Sequence, residues 1–129
     1  MFLKYNIAAI AWAAVVMALC GIPGNDLPQL TFIEWMQPDK FVHLFMFAPL
    51  NYLLIRGFGK QTSFSALNRS PKMYATIISI LYGILTEVLQ KILFIGRTCD
   101  VRDAAADALG AFCGILLFNF LTKRKNASA

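Results

Sequence analysis

Apolar residues fall into four long blocks along the chain, separated by short polar stretches. The blocks run from about Ile7 to Ile22, Phe41 to Ile55, Tyr74 to Ile95 and Ala104 to Leu121. A helix needs roughly 20 mostly apolar residues to cross a hydrocarbon layer of about 30 Å, and each block comes close. None alternates apolar and polar residues with period two, which argues against a transmembrane barrel, and open sheet edges are not tolerated in lipid. The pattern predicts an all-α polytopic membrane protein: one domain over residues 1–129, built as an antiparallel bundle of four transmembrane helices.

The first block also resembles a signal peptide, because Lys4 precedes it and Val16-Met17-Ala18-Leu19-Cys20 looks like a lipoprotein signal. Leu19 is too bulky for the position before a cleaved bond, so the block is expected to stay as a membrane helix. Composition agrees. Hydrophobic residues are 58% and charged residues 15% of the 129, against roughly 45–50% and 25% in soluble chains. Disorder and an ordinary cytosolic enzyme are excluded.

The formal net charge of +5 matters less than its distribution. Lys4, Arg56, Lys60, Arg69, Lys72, Lys123, Arg124 and Lys125 lie at one end of the four-block layout, with no acidic residue among them. The other end holds Lys40, Lys91, Arg97 and Arg102 and every acidic residue: Asp26, Glu34, Asp39, Glu87, Asp100, Asp103 and Asp107. Basic loops stay inside, so the expectation is a multi-pass protein of the cytoplasmic (inner) membrane with both termini cytoplasmic. The inner basic segments suit anionic headgroups. They carry no interleaved aromatic pattern for stacking bases, so no nucleic acid is expected. Trp35 lies within an apolar patch between Pro28 and Pro38 and is expected at the membrane interface.

Polar groups inside spans are costly, and here they gather toward the acidic end. Asp39 and His43 are four apart and share a helix face. Glu87 and Gln90 are three apart, and Arg97 continues their stripe if the helix reaches that far. Asp100, Asp103 and Asp107 follow i, i+3, i+7 spacing, continued by Gly110 and Gly114, whose Gly-x-x-x-Gly pattern allows close helix approach. An outward-facing polar pocket follows. Plainer roles exist: Asp39 and Asp100 as helix caps, Gln90 and Asn51 as interhelical hydrogen bonders, Lys91 as a snorkelling side chain. Glu87 resists such a reading, since helix formation needs no carboxylate at that depth. Cys20, Cys99 and Cys113 are taken as small apolar residues, although Cys20 and Cys99 fall near the same side.

Asp39-Lys40-x-x-His43, Glu87-x-x-Gln90 and Arg97-x-x-Asp100-x-x-Asp103-x-x-x-Asp107-x-x-Gly110-x-x-x-Gly114 together resemble the signature of VanZ-like membrane proteins. Asp107 departs from that signature, which usually has Asn there. The substitution keeps an oxygen acceptor but loses an amide donor. The resemblance implies a cell-envelope role related to low-level resistance to the glycopeptide teicoplanin. It implies neither a reaction nor a cofactor.

Three function classes compete. The first is recognition: a pocket of Asp39, His43, Glu87, Gln90, Arg97, Asp100, Asp103 and Asp107 takes a lipid-linked or phosphate-bearing envelope ligand, with arginines as donors. The second is an enzyme acting on a lipid-linked substrate by acid–base or metal-assisted chemistry, with His43, Glu87 and Asp103 as candidate catalytic groups. No His-Glu-x-x-His, Gly-x-Ser-x-Gly or phosphate-binding glycine loop is present, which tips the reading away from catalysis. Neither a metal nor a cofactor is assigned. The third, proton-coupled transport, lacks a matching polar relay in the inner half of each span. Expected partners are the lipid bilayer and the envelope ligand, with a homo-oligomer left open.

Overall fold

The structure is a computed structural model that describes residues 1–21, 38–93 and 101–127, with side chains from Phe41 onward in the second segment. It contains five helices among the described residues: α1 (Phe2–Cys20), α2 (Pro38–Lys60), α3 (Ser65–Arg69), α4 (Pro71–Leu93) and α5 (Val101–Ala127), and no strand. All but α3 are long and apolar enough to cross a membrane. The expected four-span, all-α architecture is the one found. Asp26, Glu34, Trp35, Arg97, Cys99 and Asp100 lie outside the described residues, and so does the side chain of Asp39.

The helices overrun the apolar blocks. At 1.5 Å per residue, the 27 residues of α5 span about 40 Å, well beyond the hydrocarbon thickness. The surplus lies at the basic end, where Lys123, Arg124 and Lys125 continue the helix on exposed positions. Long basic stems there lie along the apolar boundary while their heads stay wet, so the helix need not stop where the hydrocarbon does. The turn after α2 is closed locally. Asn68 Nδ2 donates to the carbonyls of Gly59 and Gln61, and Gln61 exchanges two hydrogen bonds with the Phe64 backbone. Met1 sits against this turn through its amino group on Ser63 Oγ at 2.9 Å, and Lys72 Nζ reaches Asn119 Oδ1 at 2.7 Å. Both termini thus share the basic end.

Packing is inverted relative to a soluble protein. Leu81, Ile84, Leu85, Leu109, Phe112, Leu116 and Phe120 are exposed, whereas Asn6, His43, Asn51, Ser79, Thr86, Glu87, Gln90 and Asp107 are buried. The inward face of α4 is Ala75, Thr76, Ser79, Gly83, Thr86, Glu87 and Gln90, a stripe of small and polar residues at helical spacing. Lipid tails are as apolar as leucine, so burying leucine yields little; close packing and interhelical hydrogen bonds hold such helices together. Asn51 is the clearest case: its Nδ2 donates to Thr76 Oγ1 on α4 at 3.2 Å and to the Ala111 carbonyl on α5, and its Oδ1 accepts from Ser79 at 3.4 Å. Side-chain hydrogen bonds also tie α1 in. Trp12 Nε1 donates to the Met46 carbonyl at 2.9 Å, close to Pro49, which interrupts the α2 ladder, and Tyr82 donates to the Ala13 carbonyl at 2.6 Å.

The most extensive contact in the bundle joins α2 and α5. These helices run parallel to each other, each starting at the acidic end. A Cβ added at Gly110 would stand 2.9 Å from the Leu44 carbonyl oxygen and from Phe47 Cβ, and one added at Gly114 only 2.7 Å from the Ala48 carbonyl oxygen. Either helix would have to retreat from any larger residue. Gly114→Leu is expected to lower stability by about 1–3 kcal/mol in reversible unfolding from bicelles. Leu116→Ala, on the exposed face of the same helix, should change it far less; equal losses would contradict the packing described.

Candidate functional site

The acidic end is assembled from three helices. His43 stands on the second turn of α2, in line with the buried Phe47, Leu50 and Asn51. Glu87 lies on the inward stripe of α4, and Asp103 and Asp107 are one turn apart on α5. At 1.5 Å per residue, Glu87 and Asp107 each sit about 9 Å along the axis from the described end of their helices. Intramembrane carboxylates cost roughly 2.5–3.5 kcal/mol each near the centre of a span, so they need partners.

Asp107 has one. Its Oδ1 lies 2.8 Å from His43 Nδ1, and both side chains are almost fully buried, at 1% and 3% exposure. A carboxylate only accepts, so the neutral ring must place its proton on Nδ1 to make this bond, leaving Nε2 with a lone pair. The other oxygen, Asp107 Oδ2, is buried with no hydrogen-bond partner. It packs on Gly83 of α4, where an added Cβ would meet it at 2.7 Å. Gly83 is therefore the position that admits Asp107, and the Gly83 carbonyl in turn accepts from Thr86 at 2.7 Å.

Two further carboxylates converge on the same histidine. One ligating atom each from His43, Glu87 and Asp103 lies within 4.8 Å of the others, with Glu87 buried and Asp103 half-buried. Gln90, grouped with them by sequence, instead turns its amide to α1, donating to the Cys20 carbonyl at 2.7 Å. Arg102 precedes Asp103 and is exposed. Beside it, Phe41, Leu44, Ala105, Ala106 and Leu109 line a groove of about 360 Å³ between α2 and α5. Arg102 is the charged residue in an otherwise apolar lining.

The sequence groups Asp107 with His43 in one polar pocket but singles out Asp39, on the same helix, as the partner of the ring; the bond to Asp107 is the structure's addition. Sequence reasoning also passed over Gly83. A signal for Gly83 was present in Ser79, Gly83, Glu87 and Gln90, which recur on one face of α4 and mark that face as inward. Arg97, the counter-ion expected for Glu87, lies outside the described residues, as does Asp100.

The VanZ/LLP1 family profile matches residues 5–122, a span that takes in most of each of the four long helices and every residue of this site. No curated protein matches the chain, and no solved structure does.

Because Gly83 matters only through what packs on it, Gly83→Ala should destabilise the protein strongly in the wild-type background. It should do so much less once Asp107→Ala has emptied the space. The interaction energy from this double-mutant cycle in bicelle unfolding is expected at about 0.5–3 kcal/mol. Strict additivity would show that the two residues do not touch.

Proposed function

The chain belongs to the VanZ/LLP1 family, and from that premise we propose that it is an envelope-associated recognition protein whose acidic end faces outward and takes a lipid-linked, phosphate-bearing ligand. The observation that carries this reading is the side-by-side placement of the α2–α5 groove and the polar cluster. The groove offers apolar walls for a hydrocarbon chain, while Arg102 at its edge offers a planar donor fork that fits phosphate geometry. His43, Glu87 and Asp103 lie next to the same two helices, where the headgroup of such a lipid would arrive. A free water-soluble anion would have no use for the groove, whereas an ordinary phospholipid would have no use for the cluster. The ligand class that uses both has a long isoprenoid-like tail and a polar head.

Orientation follows from charge. Eight of the twelve basic residues lie at the end where both termini sit, with no acidic residue among them, and the positive-inside rule puts that end in the cytoplasm. The cluster then opens away from the cytoplasm, where envelope intermediates are handled. A link to teicoplanin-type resistance would act through such an intermediate rather than through the antibiotic itself.

A second reading, acid–base chemistry on the same ligand class, is favoured by the Asp107–His43 bond. That bond sets the ring so that Nε2 is a base, and Glu87 beside it supplies a second proton carrier.

In nanodiscs, a polyprenyl phosphate should raise the thermal midpoint more than phosphatidylglycerol or a neutral lipid does. Arg102→Ala and Leu109→Trp, the latter filling the groove, should each remove most of that gain while leaving the unliganded midpoint near wild type. Equal shifts with all three lipids would refute recognition. Conversion of the polyprenyl phosphate during incubation, lost in His43→Gln, would move the assignment to the second reading.

A further inference from the structure

Three donor groups from three helices meet at one point, and their chemistry fits something more specific than a polar lining. We propose that His43, Glu87 and Asp103 bind a divalent transition-metal ion, with Asp107 positioning the imidazole from behind. The ligating atoms already lie within 4.8 Å of one another. Ligands about 2.0–2.1 Å from a shared ion stand roughly 3.3 Å apart, so side-chain adjustments within existing rotamer wells close the site. One imidazole and two carboxylates form a mixed nitrogen–oxygen set that suits Zn²⁺ or Mn²⁺ better than Ca²⁺, which prefers all-oxygen cages. Three protein ligands leave coordination positions open, the mark of a site that meets a substrate or ligand oxygen rather than a purely structural one.

Asp107 supplies the second, independent observation. Metal-bound histidines nearly always donate their other ring N–H to a carboxylate or carbonyl, which fixes the ring and raises its basicity. The 2.8 Å contact between His43 Nδ1 and Asp107 Oδ1 has this form, and Nε2 is the nitrogen that would then face the ion.

Ion binding stands on this geometry alone; only the further step, in which open positions on the ion accept phosphate oxygens, rests on the recognition reading. The test therefore uses the metal without any lipid phosphate. Full-length protein in phosphatidylcholine nanodiscs is stripped with chelator and dialysed against Zn²⁺ or Mn²⁺, and metal per chain is measured by mass spectrometry. About one ion per chain is expected. Asp103→Asn and Glu87→Gln should each weaken it at least tenfold, on the order of what losing a group that holds or orients the ion costs. Asp107→Ala should weaken it about tenfold, and Asp107→Asn should recover most of the loss, since its amide oxygen still accepts from Nδ1. Gln90→Ala should bind as wild type. Should Glu87→Gln fail to fold, Asp103→Asn, on a half-buried side chain, decides alone. No stoichiometric ion, or an ion indifferent to Asp103→Asn, overturns the proposal, and an arginine would then be the cation that serves the cluster. A bound ion with no preference for polyprenyl phosphate would retain this site and end the recognition reading; the converse result would do the opposite.

Discussion

In a bilayer interior two helices gain little by hiding one apolar side chain against another, because the lipid they displace is just as apolar. What α2 and α5 gain instead is proximity. Gly110 and Gly114 let the backbones approach until an added methyl would collide with the Leu44 and Ala48 carbonyls. One turn beyond Gly110 toward the acidic end, the same approach brings Asp107 within 2.8 Å of His43. The small residues and the buried pair are one device. Without the glycines, the carboxylate and the ring would stand apart in hydrocarbon, each bearing its full desolvation cost.

α4 completes the arrangement by the same means. Gly83 provides a gap for Asp107, and one turn later Glu87 comes close to His43 and Asp103. The polar stripe on this helix also explains why the bundle holds together at all: Asn51, Thr76 and Ser79 link α2 to α4 near mid-span, and Gln90 and Tyr82 link α4 to α1. Hydrogen bonds of this kind are worth about 0.6 kcal/mol on average in membrane proteins. Their number and their placement on one stripe matter more than any single bond.

Much of this was legible before any coordinates. Four apolar blocks fix four helices, because lipid permits few other structures, and the spacing of Asp103, Asp107, Gly110 and Gly114 puts carboxylates and glycines on one face. Register between helices was not legible. His43 and Asp39 lie on one face of α2 by simple periodicity, yet the ring's Nδ1 partner comes from α5, 64 residues away. Which residues of two helices stand opposite depends on how closely and at what offset they pack, and no pattern within one helix encodes that. Helix ends were equally hidden, since apolar blocks mark the hydrocarbon and helices continue past it into the headgroups.

The account depends on α2, α4 and α5 contributing to one shared niche, and the chain's single histidine makes that directly measurable. With ¹⁵N-labelled histidine in lipid, NMR reports both ring nitrogens of His43 and nothing else. A ring proton on Nδ1 is expected, with a resonance that moves in Asp107→Ala, and an Nε2 signal that moves in both Glu87→Gln and Asp103→Asn. If Nε2 ignores both of those substitutions, the three helices do not meet at His43, and neither the ligand reading nor the metal site can stand.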